Sequence, residues 1–504
     1  MLDGIVYLRE KIQRIPLWVV FEDTRSAFSK DELNMEIAQI AVPAALALMA
    51  DPIASLIDTA FIGHLGSVEL AAVGVAIAIF NQASKIAIFP LVSVTTSFVA
   101  EEDSSTSSAL NDIELEEGSS SNIEKVLLLP KPHTMNKMLT NMDQVHHKRR
   151  HISSASSALL IGATLGLIQA FLLIVSAKPL LIYMGINSDS PMLSPAYKYL
   201  TLRSLGAPAV LLSLAMQGIY RGFRDTRTPL YAIVVGDVVN IILDPILIFV
   251  FKMRVTGAAI AHVFSQYLIA VILLWKLIEQ VNLLPPNIKD LQLGRFLRNG
   301  FLLLVRVISA TFCVTLAASL SARLGATEMA AFQVCLQVWL AASLLTDGLA
   351  VACQAILAGA FARQDFERAK ATAGRVLQLG LALGLILSFI VGIGLSFSSG
   401  LFTVDDKVLQ VLSLGIPFVA ATQPINSLAF VVDGIHYGAS DFRYSTFSMV
   451  LIVLASVVCL LLLSSHFGFV GIWVALSIFM SLRAMAGVWR IGTASGPWSF
   501  LDKY

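Results

Sequence analysis

The sequence predicts an all-α integral membrane protein with twelve transmembrane helices, arranged as two pseudo-symmetric six-helix bundles. Three observations support this fold class. The chain of 504 residues is 56% hydrophobic and only 14% charged, with a mean hydropathy of +0.77, which is too apolar for a soluble protein of this length. Long apolar runs recur along the chain, and short motifs of its first half reappear in its second half.

Twelve apolar runs are each long enough to cross the roughly 30 Å hydrocarbon core of a bilayer as a helix. They lie at about residues 36–62, 69–99, 155–184, 196–219, 229–251, 256–278, 297–320, 329–360, 371–399, 408–434, 445–463 and 470–490. An even number of crossings puts both termini on one side of the membrane. Because Lys and Arg concentrate in the N-terminal segment and in alternate loops, both termini are predicted to be cytoplasmic.

These runs divide the chain into five parts. They are a cytoplasmic N-terminal segment 1–35, an N-lobe 36–278 with helices 1 to 6, a linker 279–296, a C-lobe 297–490 with helices 7 to 12, and a C-terminal tail 491–504. A segment at 101–152 interrupts the N-lobe between helices 2 and 3. Its serines, acidic run and basic end are typical of a disordered cytoplasmic segment, which either regulates the protein or is a passive linker.

Three pairs of motifs indicate an internal repeat. Gly66-Ser-Val-Glu-Leu-Ala-Ala resembles Gly325-Ala-Thr-Glu-Met-Ala-Ala, Ser204-Leu-Gly-Ala-Pro resembles Ser413-Leu-Gly-Ile-Pro, and Gly218-Ile-Tyr-Arg-Gly resembles Gly434-Ile-His-Tyr-Gly. The shift falls from 259 residues (66 to 325) to 216 residues (218 to 434), and the difference is close to the size of the 101–152 segment. The repeats run parallel, so a substrate is expected between the two lobes.

Ionisable side chains inside membrane helices are costly and therefore need a partner or a function. Helix 1 carries Asp51 and Asp58 on one face, and helix 5 carries Asp237, Asn240 and Asp244 on one face. Carboxylates that share a low-dielectric site are suited to bind a proton, or Na⁺ where water reaches their oxygens. We therefore predict a cation-coupling site here, and a structural polar network between helices is the alternative.

Helix 6 adds His262, Ser265 and Gln266 to the polar groups of the N-lobe. Because a buried imidazole can also take up a proton, His262 joins the candidates for cation coupling.

Candidate substrate contacts lie in helix 2 and in the C-lobe. They are Lys85 in helix 2, Arg306 midway through helix 7, and Gln333, Gln337 and Asp347 along helix 8. Cations that face a cavity would suit an anionic substrate, whereas salt bridges to neighbouring aspartates are the alternative interpretation.

Several classes of function are excluded by the sequence. No P-loop, G-x-S-x-G or H-E-x-x-H motif is present, so we expect no catalytic residue, no enzyme activity and no organic cofactor. A net charge of +1, with basic residues spread between apolar runs, argues against nucleic-acid binding. Four cysteines lie in apolar stretches without metal-ligand spacing, so no metal site is predicted and they are expected to be small core residues.

Helices 1, 4 and 5 carry motifs that resemble those of the multidrug and toxic compound extrusion (MATE) family. The motifs are Asp58-Thr-Ala-Phe-Ile-Gly-His-Leu-Gly, Gln217-Gly-Ile-Tyr-Arg-Gly-Phe-Arg-Asp-Thr-Arg-Thr-Pro and Asn240-Ile-Ile-Leu-Asp-Pro. The resemblance covers nearly the whole chain and implies a secondary transporter coupled to H⁺ or Na⁺. It assigns the coupling cation to Asp58, Asn240 and Asp244, whereas His262 stands where relatives often have a small hydroxyl residue.

A plant subgroup of that family, which exports citrate and is linked to aluminium tolerance and iron movement, shows a closer resemblance. This resemblance rests on the long segment after helix 2, on Thr311-Phe-Cys-Val-Thr-Leu-Ala-Ala-Ser in helix 7 and on Gln333-Val-Cys-Leu-Gln-Val-Trp in helix 8. Many plant relatives with other substrates have a glutamate in helix 7, where this chain offers Arg306, so the resemblance favours an anion contact.

The resemblance implies an antiporter that exports citrate, or another small organic anion, from a monomer in the plasma membrane. An exporter of organic cations or flavonoids with the same fold is the first alternative. An anion channel or a lipid flippase is the alternative from a different functional class.

Overall fold

The computed structural model describes residues 31–124, 152–281, 293–402 and 406–503. Its helices are α1 (Glu32–Gly63), α2 (Ser67–Glu124), α3 (Ser153–Tyr183), α4 in two segments (Leu193–Ser204 and Ala207–Gly222), α5 (Arg227–Pro245), α6 (Val255–Gln280), α7 (Leu293–Leu324), α8 (Ala326–Ala362), α9 (Phe366–Phe402), α10 in two segments (Asp406–Ala421 and Gln423–Gly438), and α11 and α12, which Gly468 divides within Phe442–Gly492. Helices α1 to α12 carry the same numbers as the predicted helices 1 to 12. A π-helical turn, Ile246–Val250, extends α5, and a 3-10 helix, Gly496–Lys503, ends the described chain.

The described helices account for every predicted membrane crossing. Eight are long and apolar enough to span a bilayer, or ten when the two bent pairs of α4 and α10 each count as one span. The continuous stretch Phe442–Gly492 holds two predicted helices, since Gly468 adopts a φ of 56° there. The apolar start of α2, Val68–Ser84, is a shorter apolar helix. The predicted all-α membrane fold is confirmed.

The bends in α4 and α10 show the internal repeat most directly. Pro208 and Pro424 each stand in the first turn of the second segment, where a missing N–H is tolerated but the preceding helix cannot continue. The bends measure 45° and 48°. A Cβ on Gly166 of α3 would lie 2.5 Å from Pro208 Cα, and one on Gly384 of α9 would lie 2.5 Å from Pro424 Cα. Each bend therefore packs against a glycine in the equivalent neighbouring helix.

One of the three sequence pairs is wrong in register. Pro417, which the sequence comparison matched to Pro208, lies inside the first segment of α10. The structural counterpart of Pro208 is Pro424, 216 residues later, which is the shift of the Gly218 and Gly434 pair. The second copy of Ser-Leu-Gly-x-Pro stands about two helical turns too early, so the match of letters is not a match of position.

The segment at 101–152 was predicted to be disordered, which is wrong for its first part, because α2 continues as a helix to Glu124. Once a helix is nucleated, each further residue is added at small cost, so the polar sequence extends it. Residues 125–151 lie outside the described residues. The Glu102 carboxylate accepts hydrogen bonds from the Ser153 and Ser154 amides at 2.8 and 2.9 Å, which joins the start of α3 to α2.

The two lobes meet mainly along α8, which packs on α1 and α2, and along α7, which packs on α2. A Cβ on Gly348 of α8 would lie 2.6 Å from the Ala45 side chain of α1, so small residues allow close approach there. Phe98 of α2 and Phe296 of α7 pack edge to face with ring centres 4.9 Å apart. All four cysteines are free, and three are buried, in agreement with the predicted core role.

The C-terminal tail packs against the bundle. Trp498 is fully buried beside Phe361, with ring centres 5.3 Å apart, and Phe500 stacks on Phe366. Residues 491–503 therefore cover the ends of α8 and α9.

Candidate functional site

Helices α1 and α5 pack together and bring Asp58 beside Asn240. The Asn240 Nδ2 donates to Asp58 Oδ1 at 2.7 Å. Asp244, one turn further along α5, is only 1% exposed and interacts electrostatically with Asp58. Neither Asp244 oxygen, nor the Asn240 amide oxygen, has a hydrogen-bond partner among the described residues. The three side chains have more acceptor oxygens than N–H donors, so they form a polar site in which a small cation could bind to the unpaired oxygens.

Asp237 extends this site towards the other end of α5. It is buried, and it interacts electrostatically with Asp51 and Asp58 of α1. The two faces that the sequence singled out on helices 1 and 5 therefore face each other. No group of three or more His, Cys, Asp or Glu side chains is placed to hold a metal ion within the described ranges.

His262 of α6 lies near this region, but its charged neighbour is a cation. Arg203 of α4 is the charged group that acts on His262. The structure thus groups His262 with Arg203, and within the described part of the chain no hydrogen bond joins His262 to Asp58 or Asp244.

Arg203 is a residue of this site that the sequence analysis missed. Its guanidinium is buried, with 9% exposure, and Nη1 donates to the Tyr199 hydroxyl at 3.1 Å. It lies 4.9 Å from the centre of the Phe80 ring. It also acts electrostatically on Asp51 and Asp58. A basic residue inside the fourth apolar run was the available signal, since such residues are rare in membrane helices.

A second polar cluster lies in the C-lobe and joins three helices. Arg306 of α7 donates to the Asp433 carboxylate and to the Tyr437 hydroxyl, both on α10. Arg483 of α12 donates to the other oxygen of Asp433. The salt-bridge interpretation of Arg306 therefore describes this conformation, but two guanidinium groups share a single carboxylate. We call Arg306, Asp433, Tyr437 and Arg483 the arginine cluster.

The arginine cluster lies where the two lobes meet. Asp347 of α8, which is half-buried, interacts electrostatically with Arg483, Asp433 and, from the N-lobe, Arg221. The Tyr437 carbonyl accepts a hydrogen bond of 2.8 Å from the Ser97 hydroxyl of α2. Arg306 and Asp347, both predicted substrate contacts, are thus brought into one region.

Two further predicted substrate contacts, Gln333 and Gln337, are not brought there. Gln333 and Gln337 are exposed on α8, and Gln337 precedes Asp347 by ten residues, about 15 Å along the helix. Lys85 belongs to α2, but its side chain lies outside the described residues.

The two clusters have no counterparts in the opposite lobe. The shift of 216 residues places Leu460 at the position equivalent to Asp244, and the shift of 259 residues places Ala317 at the position equivalent to Asp58. Ala47 stands at the position equivalent to Arg306. The related bundles therefore carry different chemistry: carboxylates in the N-lobe and guanidinium groups in the C-lobe.

Ion pairs connect the lobes at the end of the molecule where α1 begins. Glu36 of α1 accepts from Arg224 at 2.8 Å and from Arg368 of α9 at 2.5 Å. Arg295 at the start of α7 pairs with Glu101 of α2 at 2.6 Å. The lobes are closed against each other at this end.

Comparisons with known proteins agree with this architecture. A family model described as MatE matches residues 146–246 and 303–484. Protein DETOXIFICATION 42 of Arabidopsis thaliana is 61% identical over 501 residues, which cover 97% of both chains. Protein DETOXIFICATION 43 of the same plant is 56% identical over 97% of this chain and 96% of its own. The solved structure of a mutant of the Vibrio cholerae MATE transporter VcmN superimposes with a TM-score of 0.76 at 16% identity, covering 93% of this chain and 99% of that one.

Proposed function

The chain belongs to the MATE family of multi-pass membrane transporters, and from this premise we propose that it is an antiporter that exports citrate, or a closely related organic anion, across the plasma membrane. The observation that carries the proposal is the arginine cluster, in which Arg306 and Arg483 share Asp433 where the lobes meet. Two guanidinium groups that converge in a low-dielectric interior can each bind a carboxylate, which suits a polycarboxylate better than an organic cation.

The coupling cation, H⁺ or Na⁺, binds in the N-lobe at Asp58, Asn240 and Asp244. Two nearby carboxylates repel each other when both are charged, so a bound proton or Na⁺ relieves the repulsion and lets α1 and α5 pack closely. Release of the cation restores the repulsion. A cation gradient can therefore drive the rearrangement of α1, which also lines the contact with α8.

Transport then follows from the lobes rocking about the space between them. The end closed by Glu36, Arg224 and Arg368 is the cytoplasmic one if both termini are cytoplasmic. In that orientation this conformation is closed to the cytoplasm, and citrate leaves from the opposite end.

Efflux of labelled citrate from oocytes, with external pH varied, tests this function. Wild-type protein should release citrate, and release should increase as the external medium is made more acid, because inward H⁺ flow drives it. Asp244→Asn cannot take up the proton, so it should lose the dependence on pH and most of the export. Asp189→Asn, a change of an exposed carboxylate between α3 and α4, is the matched control and should behave as wild type.

Two outcomes would contradict the proposal. No citrate release above background, with the protein at the cell surface, would exclude citrate. Citrate current without dependence on a cation gradient would indicate an anion channel.

An exporter of organic cations is the second candidate, and the N-lobe carboxylates favour it. Asp51, Asp58, Asp237 and Asp244 face one another with Arg203 as the nearby cation. Efflux of a labelled organic cation from the same oocytes, without citrate efflux, would support this function instead.

A further inference from the structure

The arginine cluster differs from an ordinary buried ion pair in its balance of donors and acceptors. Arg306 is 6% exposed, and it donates to one oxygen of Asp433 while Arg483 donates to the other. The Nε groups of both arginines are buried without a hydrogen-bond partner among the described residues. Buried donors without acceptors are rare, so this arrangement has capacity for a further anionic group.

A second ion pair in the C-lobe, between α12 and the residue that precedes α11, gives an internal comparison. Arg490 of α12 donates from Nε to one oxygen of Asp441 at 2.8 Å and from Nη2 to the other at 3.4 Å, and its Nη1 donates to Ser495. One guanidinium therefore meets one carboxylate in a two-pronged contact. This ratio is that of a structural link between α12 and the start of α11, and the arginine cluster does not have it.

Aromatic rings hold both guanidinium groups of the cluster. Arg306 lies 5.3 Å from the centre of the Tyr437 ring, and Arg483 lies 4.7 Å from the centre of the Phe430 ring. Stacking fixes the plane of a guanidinium and leaves its N–H edge available for a carboxylate. The two cations are therefore positioned before any ligand arrives.

We propose that Arg306 and Arg483 form a binding site for the carboxylates of the transported anion, and that Asp433 is a resident carboxylate which the substrate displaces. Asp433 pairs with both guanidinium groups while the site is empty, because a buried cation that loses its hydrogen-bonded carboxylate is strongly unfavourable. A di- or tricarboxylate brings one group for each guanidinium. This inference rests on the proposed function and adds Arg483 and Asp433 to the substrate site.

Equilibrium binding of labelled citrate to the purified full-length protein tests the exchange. Arg306→Gln and Arg483→Gln should each weaken citrate binding by about tenfold or more, because each removes a charge-assisted hydrogen bond. Asp433→Asn should strengthen binding several-fold, since the competing carboxylate is gone. Asp441→Asn and Arg490→Gln are the matched controls in the same lobe, and both should bind citrate as wild type does.

A double variant guards against misfolding of Asp433→Asn, which leaves two buried cations without their carboxylate. Asp433→Asn combined with Arg483→Gln keeps the charge balance of the cluster. It should bind citrate more tightly than Arg483→Gln alone, because Asp433 no longer competes for Arg306. Each variant is first required to elute as a single species in size-exclusion chromatography.

The outcomes separate this inference from the proposed function. Two results would overturn the displacement of Asp433 by the substrate and leave the proposed function intact. One is weaker citrate binding by both Asp433→Asn and the double variant. The other is unchanged citrate binding by Arg483→Gln while the wild-type protein exports citrate. If wild-type protein binds succinate or tricarballylate instead of citrate, with the same pattern among variants, the site stands and the citrate assignment falls. Absence of carboxylate binding would overturn both.

Discussion

Single charged side chains decide the chemistry of this protein, and Arg203 illustrates how. It lies in the N-lobe among Tyr199, Phe80 and the carboxylates of α1. A fixed positive charge close to carboxylates favours their ionised form, so Arg203 opposes proton uptake at the site. In the proposed coupling to H⁺, the balance between Arg203 and the carboxylates sets the range of pH over which the proton is exchanged.

This balance leads to a prediction for Arg203→Gln. Without the positive charge the carboxylates bind a proton more tightly, so the midpoint of the pH dependence of export should move to higher pH. The measurement is citrate efflux across a series of external pH values. Arg227→Gln, which changes an exposed arginine at the start of α5, should leave the midpoint in place, and an equal displacement by both variants would remove Arg203 from the site.

Residue types and helical spacing were enough to predict which carboxylates meet, but not which cations join them. Asp58, Asn240 and Asp244 stand on single faces of two helices, and that pattern is visible in the sequence. Partners from distant helices carry no such periodic signal. The pairing of Arg306 with Asp433, 127 residues apart, and the place of Arg203 depend on how the bundle closes.

At the scale of helices, the bends of α4 and α10 depend on tight packing against α3 and α9. A Cβ on Gly384 would lie 2.5 Å from Pro424 Cα and 2.9 Å from the Gln423 carbonyl oxygen, and neither backbone atom can move aside without shifting α10. A proline alone predicts an interruption. The bend lies at Pro424, packed against Gly384, whereas Pro417 lies inside a helical segment, so the proline motif alone misplaced the repeat.

Gly384→Ala should therefore destabilise the protein by about 1–3 kcal/mol, the usual cost of overpacking. Gly74→Ala in α2 is the control, because a Cβ there meets nothing within 4 Å. This control should match or slightly exceed wild-type stability, since alanine favours a helix by up to about 1 kcal/mol over glycine. Thermal unfolding of the two purified variants measures the difference, and equal midpoints would show that the α9 and α10 contact can relax.

At the scale of the whole molecule, two bundles with the same architecture present opposite charges to the interior. The N-lobe carries a group of carboxylates, and the C-lobe carries the guanidinium groups of the arginine cluster. Composition and hydropathy sufficed to predict a helical membrane protein, because few other folds can span a bilayer, and the repeated motifs predicted the two bundles. The contacts between lobes were not predictable, since they join residues hundreds of positions apart.

Glu36 is the contact between lobes with the clearest consequence for alternating access. Its carboxylate pairs with Arg224 of the N-lobe and Arg368 of the C-lobe, so one side chain connects both across the closed end. Each pair is partly exposed, and such pairs contribute about 0–1 kcal/mol. That is enough to change the ratio of two conformations several-fold when their free energies are close.

Glu36→Gln should therefore increase the fraction of molecules open at this end, without unfolding the protein. A cysteine placed by Ser97→Cys, at a buried position where the lobes touch, reports the opening through its rate of reaction with a membrane-impermeant maleimide. The reaction should be several-fold faster with Glu36→Gln. Glu279→Gln, which breaks the Lys276 pair within α6, should leave the rate unchanged, because that pair does not join the lobes. Equal rates in all three proteins would mean that the packing of α1 on α8 holds this end closed without the help of Glu36.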